Sequence, residues 1–184
     1  MKEAIFFDVD TQFDFMHKEN RLYIPDAGKI IPNLKKITEF AKINNISVAA
    51  SIDNHSSKGH KKIPETDFED FVVIPNKVLS LRKIAQLKKN DRLLIEKQQH
   101  NVFSNPNLKP ILGNAKKAYV YGVATEYCVK EAVLGLASMG IKLFLIEDAV
   151  MPISKEEGKK TLELFKKKGV KFLTTEQLLS RKVL

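Results

Sequence analysis

Residues 4–15 read AIFFDVDTQFDF. The opening AIFFDV (4–9) is nearly continuous in apolar character, which is the pattern of a strand covered on both faces in a parallel sheet. Three acids, Asp8, Asp10 and Asp14, stand at or just past the end of that run. Five more runs of the same kind follow outward along the chain: ISVAAS (46–51), RLLIEK (92–97), AYVYGV (118–123), KLFLIE (142–147) and VKFLT (170–174). Helical patterns lie between several of them. One is expected through IIPNLKKITEFAKIN, capped by Asp26, with Leu34, Ile37, Phe40 and Ala41 on one face and Pro32 tolerable only near the start. A second is expected from about Glu126 to Ser138, ending at Gly140, and a third after Ser154, with Glu157 completing a capping box and Gly169 as the stop. The alternation predicts an α/β fold spanning 1–184 as a single domain, with a parallel sheet and right-handed crossovers. Residues 53–90 show no helical period and read as a long connection of the kind that often forms a lid or binding loop.

Composition narrows the classes. The chain has 184 residues, 43% apolar and 29% charged, ordinary for a globular protein. A single cysteine rules out an internal disulfide and fits a reducing compartment. MKEAIFFDVD carries acids too early for a signal peptide, and no apolar run reaches the roughly 18 residues of a membrane span. A cytoplasmic location is the expectation. The net charge is +9, with 27 Lys but only 4 Arg. The lysines are scattered rather than clustered, so the reading is a solvated surface, with neither nucleic acid nor membrane as partner.

In open parallel sheets, ligands bind beyond the carboxyl ends of the strands. The reactive side chains gather there. Asp10 follows the first strand, Asp53 and His55 follow the second, Lys97 ends the third, and Cys128 lies five residues past the fourth. Two families compete for the first of these segments. Asp8 and Asp10 have the Asp-x-Asp spacing of haloacid-dehalogenase-type phosphatases, where the first aspartate is the nucleophile and Mg²⁺ its partner. Thr11, however, falls one place early and no glycine follows Asp10. Alternatively, DTQFDF (10–15), the lysine of LLIEKQQHNVFSN (93–105) and YGVATEYCVKEAV (121–133) together resemble the isochorismatase-like cysteine hydrolases, the superfamily of nicotinamidases. The order, spacing and strand context match across nearly the whole chain.

That resemblance implies a three-layer α/β/α sandwich with a six-stranded, mostly parallel sheet. It assigns Asp10 as base, Lys97 as the cation that holds and polarises the pair, and Cys128 as nucleophile. It also places a cis peptide between Val123 and Ala124, with the backbone N–H groups of Ala124 and Cys128 as an oxyanion hole. A free thiol at a pKa near 8.5 is a poor nucleophile until deprotonated. A helix N-terminus and a lysine ammonium beside Cys128 would each favour the thiolate, and a nearby carboxylate could take its proton. Phe15 and Phe103 are candidates for the substrate pocket or for ordinary core packing. Asp8 is expected to point into the fold or pair locally, and Gln12 and Asp14 to organise the turn.

Asp53, His55 and His60 in DNHSSKGH carry ligand types suited to Zn²⁺, Fe²⁺ or Mn²⁺. Nicotinamidases hold such a metal after the second strand, where it binds the substrate's pyridine nitrogen. Their next histidine has no counterpart here, where the chain reads FEDFVVIPNKV. The site is therefore either a divalent-metal site or a polar loop. No organic cofactor is implied. The expected activity is that of a cysteine amidohydrolase, foremost nicotinamidase, a step of NAD metabolism, with N-carbamoyl compounds and other small carboxamides as alternatives. Isochorismatases that cleave a vinyl ether commonly lack the cysteine, so Cys128 argues against that reaction. Homo-oligomers are common in the superfamily.

Overall fold

A computed structural model describes residues 2–54 and 60–181. AIFFDV forms β1 (Ala4–Val9), followed by one turn of helix, α1 (Phe13–Met16), then α2 (Ile31–Ile43) and β2 (Ser47–Asp53). Next come β3 (Val72–Ile74), α3 (Leu81–Leu87), β4 (Arg92–Lys97), α4 (Leu108–Leu112) and β5 (Lys117–Val123). The chain continues through α5 (Lys130–Ser138), β6 (Lys142–Met151), α6 (Lys155–Lys167), β7 (Lys171–Leu173) and α7 (Thr175–Leu179). The strands form one sheet in the order β3-β4-β2-β1-β5-β6-β7, and every pairing is parallel.

The two faces of the sheet follow from alternation along β1. Ile5, Phe7 and Val9 face a cluster that includes Ile84 and Leu87 of α3, Leu108 and Ile111 of α4, and Ala132, Val133 and Leu136 of α5. Phe6 faces the other way, against Leu34, Ile37 and Ala41 of α2, Tyr119 and Tyr121 of β5, and Leu178 of α7. Helices therefore cover both faces, giving the three expected layers. No helix among the described residues is long and apolar enough to cross a membrane.

Several details differ from the sequence reading, among them α3, a helix of seven residues that falls inside the stretch 53–90 read as lacking a helical period. The sheet has seven strands, not six. The addition is β3, from the stretch read as a long connection, and three residues at a sheet edge are too few to show a period. Asp26 does not cap α2. It sits in a left-handed conformation ahead of a 3₁₀ turn, Ala27–Ile30, and pairs with Lys29 at 3.1 Å. Pro32 falls in the first turn of α2, where its missing N–H costs nothing. The box at Ser154 forms only in half: Ser154 accepts from the Glu157 N–H, but the Glu157 carboxylate turns to Lys160 at 2.8 Å. A complete capping box instead starts α7, between Thr174 and Gln177.

Gly122 is set by close approach as well as by conformation. Its φ is +115°, and a Cβ there would lie 2.0 Å from the Val9 carbonyl oxygen. Any other residue would push β5 away from β1 at the end where the acids emerge. The Val123–Ala124 peptide that follows is cis, as the resemblance implied.

Candidate active site

β1, β2, β4 and β5 are neighbours in the sheet, so their carboxyl ends meet. Asp53 at the end of β2 is the direct register partner of Lys97 at the end of β4. Asp10 turns out of β1 in a left-handed conformation, φ 51°, with its N–H donating to the Ser51 carbonyl at 3.3 Å. Cys128 sits in a π-helical turn, Thr125–Val129, between β5 and α5. Such turns are frequent at functional sites.

These placements converge on one ammonium group. Lys97 Nζ lies 2.8 Å from Asp10 Oδ2, 3.1 Å from Asp53 Oδ2 and 3.6 Å from Cys128 Sγ. The side chains of Asp10 and Lys97 are wholly buried. Ser51 Oγ donates to Asp10 Oδ1 at 2.7 Å, which fixes the carboxylate plane. Ser51 was not singled out from sequence; its place at the end of a strand was the only signal.

The charge states differ from the sequence expectation. Burial pushes the Cys128 thiol well above its ordinary range, and the adjacent Asp10 carboxylate pushes it further; Lys97 opposes both without prevailing. Burial also works against the Lys97 ammonium, but the Asp10 and Asp53 carboxylates outweigh it and hold the group above the usual lysine range. Both shifts favour a protonated thiol beside the Lys97 ammonium. Lys97 favours the thiolate, as expected, but two carboxylates share its ammonium, so burial and Asp10 push the thiol up more than Lys97 brings it down.

Cys128 forms the floor of a pocket of about 380 Å³ lined by Phe15, Leu22, Ile24, Asp53, His100, Val123, Ala124, Tyr127 and Ile153. This volume lies in the range of small-ligand sites. Phe15 lines it; Phe103 does not. The Phe103 ring packs over Gly135 of α5, where an added Cβ would strike it at 2.1 Å, so this aromatic belongs to core packing. Leu22 and Ile24 come from the loop after α1, Tyr127 from the π-helical turn and Ile153 from the loop after β6, and they gave no periodic signal in the sequence. Glu126 holds one of these loops, accepting from the N–H groups of Ile153 at 3.0 Å and Ser154 at 2.7 Å.

Asp8 stays out of the pocket. It pairs at 2.7 Å with Lys62, both side chains buried, and accepts from Thr11 Oγ1 at 2.9 Å. This is the local pairing expected of Asp8, and it removes the phosphatase reading's nucleophile. Gln12 does more than organise its own turn. Its Oε1 accepts from the Asp53 N–H at 2.7 Å, and its Nε2 donates to the carbonyls of Asp53 at 3.1 Å and His60 at 2.8 Å. Gln12 thereby ties together the two ends of the segment after β2. The antiparallel bridge of Gln12 with Lys62 continues the strap.

Of the proposed metal ligands, His55 lies outside the described residues. Asp53 directs Oδ2 at Lys97, and the carbonyl of His60 is engaged by Gln12. Among the described residues, no group of three or more His, Cys, Asp or Glu side chains is placed to hold a metal. The described donors alone therefore do not fit a metal centre.

Comparison with known proteins agrees with this architecture. No curated protein sequence matches the chain. Among solved structures, a pyrazinamidase of Pyrococcus horikoshii in complex with zinc superposes with TM-score 0.75 at 24% identity, covering 94% of this chain and 99% of that one. An isochorismatase-like hydrolase from Alkaliphilus metalliredigens gives TM-score 0.75 at 19% identity, covering 96% and 97%. A nicotinamidase from Staphylococcus aureus gives 0.73 at 16%, covering 94% and 99%. At these identities the likeness is one of fold. The family profile described as the isochorismatase domain matches residues 4–177, nearly the whole chain, so this protein belongs to the isochorismatase family of hydrolases.

Proposed function

We propose that the protein is a cysteine amidohydrolase acting on small, uncharged carboxamides, with nicotinamide the foremost substrate. The observation that carries this reading is the contact of Lys97 with both Asp10 and Cys128, at 2.8 and 3.6 Å, beneath an apolar pocket. The walls are Phe15, Leu22, Ile24 and Ile153, and among the described residues no lysine or arginine lines them. An amide bearing a carboxylate, such as an N-carbamoyl amino acid, would enter without a counter-charge. A flat, neutral ring meets no such penalty.

The resting thiol sets the order of events. As Sγ attacks the amide carbon, its proton passes to Asp10, so thiolate exists only along the reaction path. Lys97 keeps its charge and holds Asp10 in place. The N–H groups of Ala124 and Cys128 receive the developing oxyanion. Asp10 returns the proton to the leaving nitrogen, ammonia departs and a thioester remains. Water, deprotonated by Asp10, then attacks the thioester; nicotinate is released and the sulfur regains its proton.

The test is ammonia release from nicotinamide, pyrazinamide and N-carbamoyl amino acids, with and without Zn²⁺, Fe²⁺ or Mn²⁺. Wild type is expected to hydrolyse the neutral ring amides. The Cys128→Ala variant is expected to fold, by circular dichroism, and to release no ammonia. Turnover surviving in Cys128→Ala would overturn the assignment.

A further inference from the structure

The pocket is graded from floor to rim. Val123, Asp53, Ala124 and Cys128 are all buried at its base, whereas Tyr127, Leu22 and Ile153 are 43%, 44% and 50% exposed. Between floor and rim the walls are apolar. Among the described residues, the polar side chains on the lining are Asp53 and Cys128 at the base, and His100 and Tyr127 above. Asp53 is engaged by Lys97. His100 stands on the loop after β4, exposed, with its ring edge-to-face on Tyr127 at 5.1 Å between centroids. That contact orients the imidazole, which makes no hydrogen bond to another described residue.

A carboxamide whose carbonyl carbon sits at Cys128 must extend its body up the apolar walls toward this pair. We infer that His100, seated on Tyr127, is a specificity-determining residue: it hydrogen-bonds a heteroatom on the far side of the substrate's ring, so the site selects heteroaromatic carboxamides over all-carbon ones. The inference rests on the amidase reading for the identity of the group at the floor. It adds a second point of recognition at the rim. An imidazole suits this role because it can offer a donor or an acceptor, matching either a ring nitrogen or a ring N–H.

Three amides of nearly equal size separate the possibilities: nicotinamide, pyrazinamide and benzamide. Wild type is expected to favour the two nitrogen rings over benzamide by about tenfold in kcat/KM, the effect of one hydrogen bond at a partly exposed site. In His100→Phe, which keeps the ring contact with Tyr127 but removes both nitrogens, the preference is expected to shrink to about twofold or less, with the loss falling on KM rather than kcat. His100→Gln is expected to restore part of it. The same ratio is read without chemistry from calorimetric binding of the three amides to Cys128→Ala.

A preference unchanged in His100→Phe, or wild type indifferent to the ring nitrogen, overturns the inference while leaving the amidase reading intact. A preference that appears only with added Zn²⁺ and ignores the His100 substitution assigns ring recognition to a metal and also overturns it. If wild type hydrolyses none of the three but Cys128→Ala binds them with the expected ratio, the amidase reading fails and the rim subsite stands. If none binds, both fall.

Discussion

The protonated state of Cys128 makes an unusual prediction about Asp10→Asn: catalysis and thiol reactivity should move in opposite directions. Lys97 Nζ is 2.8 Å from the Asp10 carboxylate and 3.6 Å from Cys128 Sγ, so carboxylate and sulfur lie within ~6 Å of one another. At an effective dielectric of about 20, a unit negative charge at that distance opposes thiol ionisation by about 3 kcal/mol, or roughly two pKa units. Removing it leaves burial in place but frees more of the Lys97 field for sulfur. Below the thiol's pKa the thiolate fraction should rise by about a hundredfold. A less basic thiolate is a weaker nucleophile, which takes back about tenfold. The net expectation is alkylation by iodoacetamide about tenfold faster than in wild type at pH 8. Turnover should fall below about 1% of wild type, because a positioned base supplies typically 10²–10⁴-fold. Both rates are measured on the same preparation, alkylation by mass spectrometry and turnover by ammonia release. Alkylation that slows in parallel with turnover would refute the reasoning, since it would mean that Asp10 maintains a thiolate at rest.

Further expectations follow from the same charges. In wild type, the alkylation rate should keep rising with pH through the neutral range and beyond, because burial and Asp10 hold the thiol up; a plateau near pH 7 would reveal a preformed thiolate. Lys97→Met leaves Asp10 and Asp53 buried without their shared cation and should cost about 3–5 kcal/mol in urea unfolding at pH 7; a loss under 1 kcal/mol would contradict the placement. Burial pushes the Asp8 carboxyl up and the Lys62 amine down, so this second pair is strained toward neutrality although its members are only 2.7 Å apart. Lys62→Met alone should therefore cost about 3–5 kcal/mol, whereas Asp8→Asn/Lys62→Met should recover most of it. Simple additivity of the two single variants would show that the pair does not act as a unit.

Much of the framework was legible in the chain. Six of the seven strands and the helices α2, α5 and α6 depend on apolar runs and breakers within a few residues, which a sequence displays directly; the short α3 and α4 were not read. β3 was missed because three edge residues carry no period, and the caps at Asp26 and Glu157 went astray because each acid had a nearby lysine as an alternative partner. The candidates Asp10, Lys97 and Cys128 were named from motif resemblance, and Phe103 was misplaced because an aromatic in a loop gives no sign of which face it will cover.

The sequence by itself determined that the chain builds parallel strands with reactive groups at their carboxyl ends, since strand propensity and side-chain identity are local properties. Only the tertiary structure decided that β1, β2, β4 and β5 lie side by side, so that two carboxylates and one thiol surround a single ammonium. It also decided that burial and Asp10 push the thiol up, that Gln12 ties Asp53 to His60, and that His100 looks over the pocket from its rim. These outcomes depend on burial and on distances between residues remote in the chain, and desolvation and Coulomb energies are set by three-dimensional surroundings rather than by neighbours in sequence.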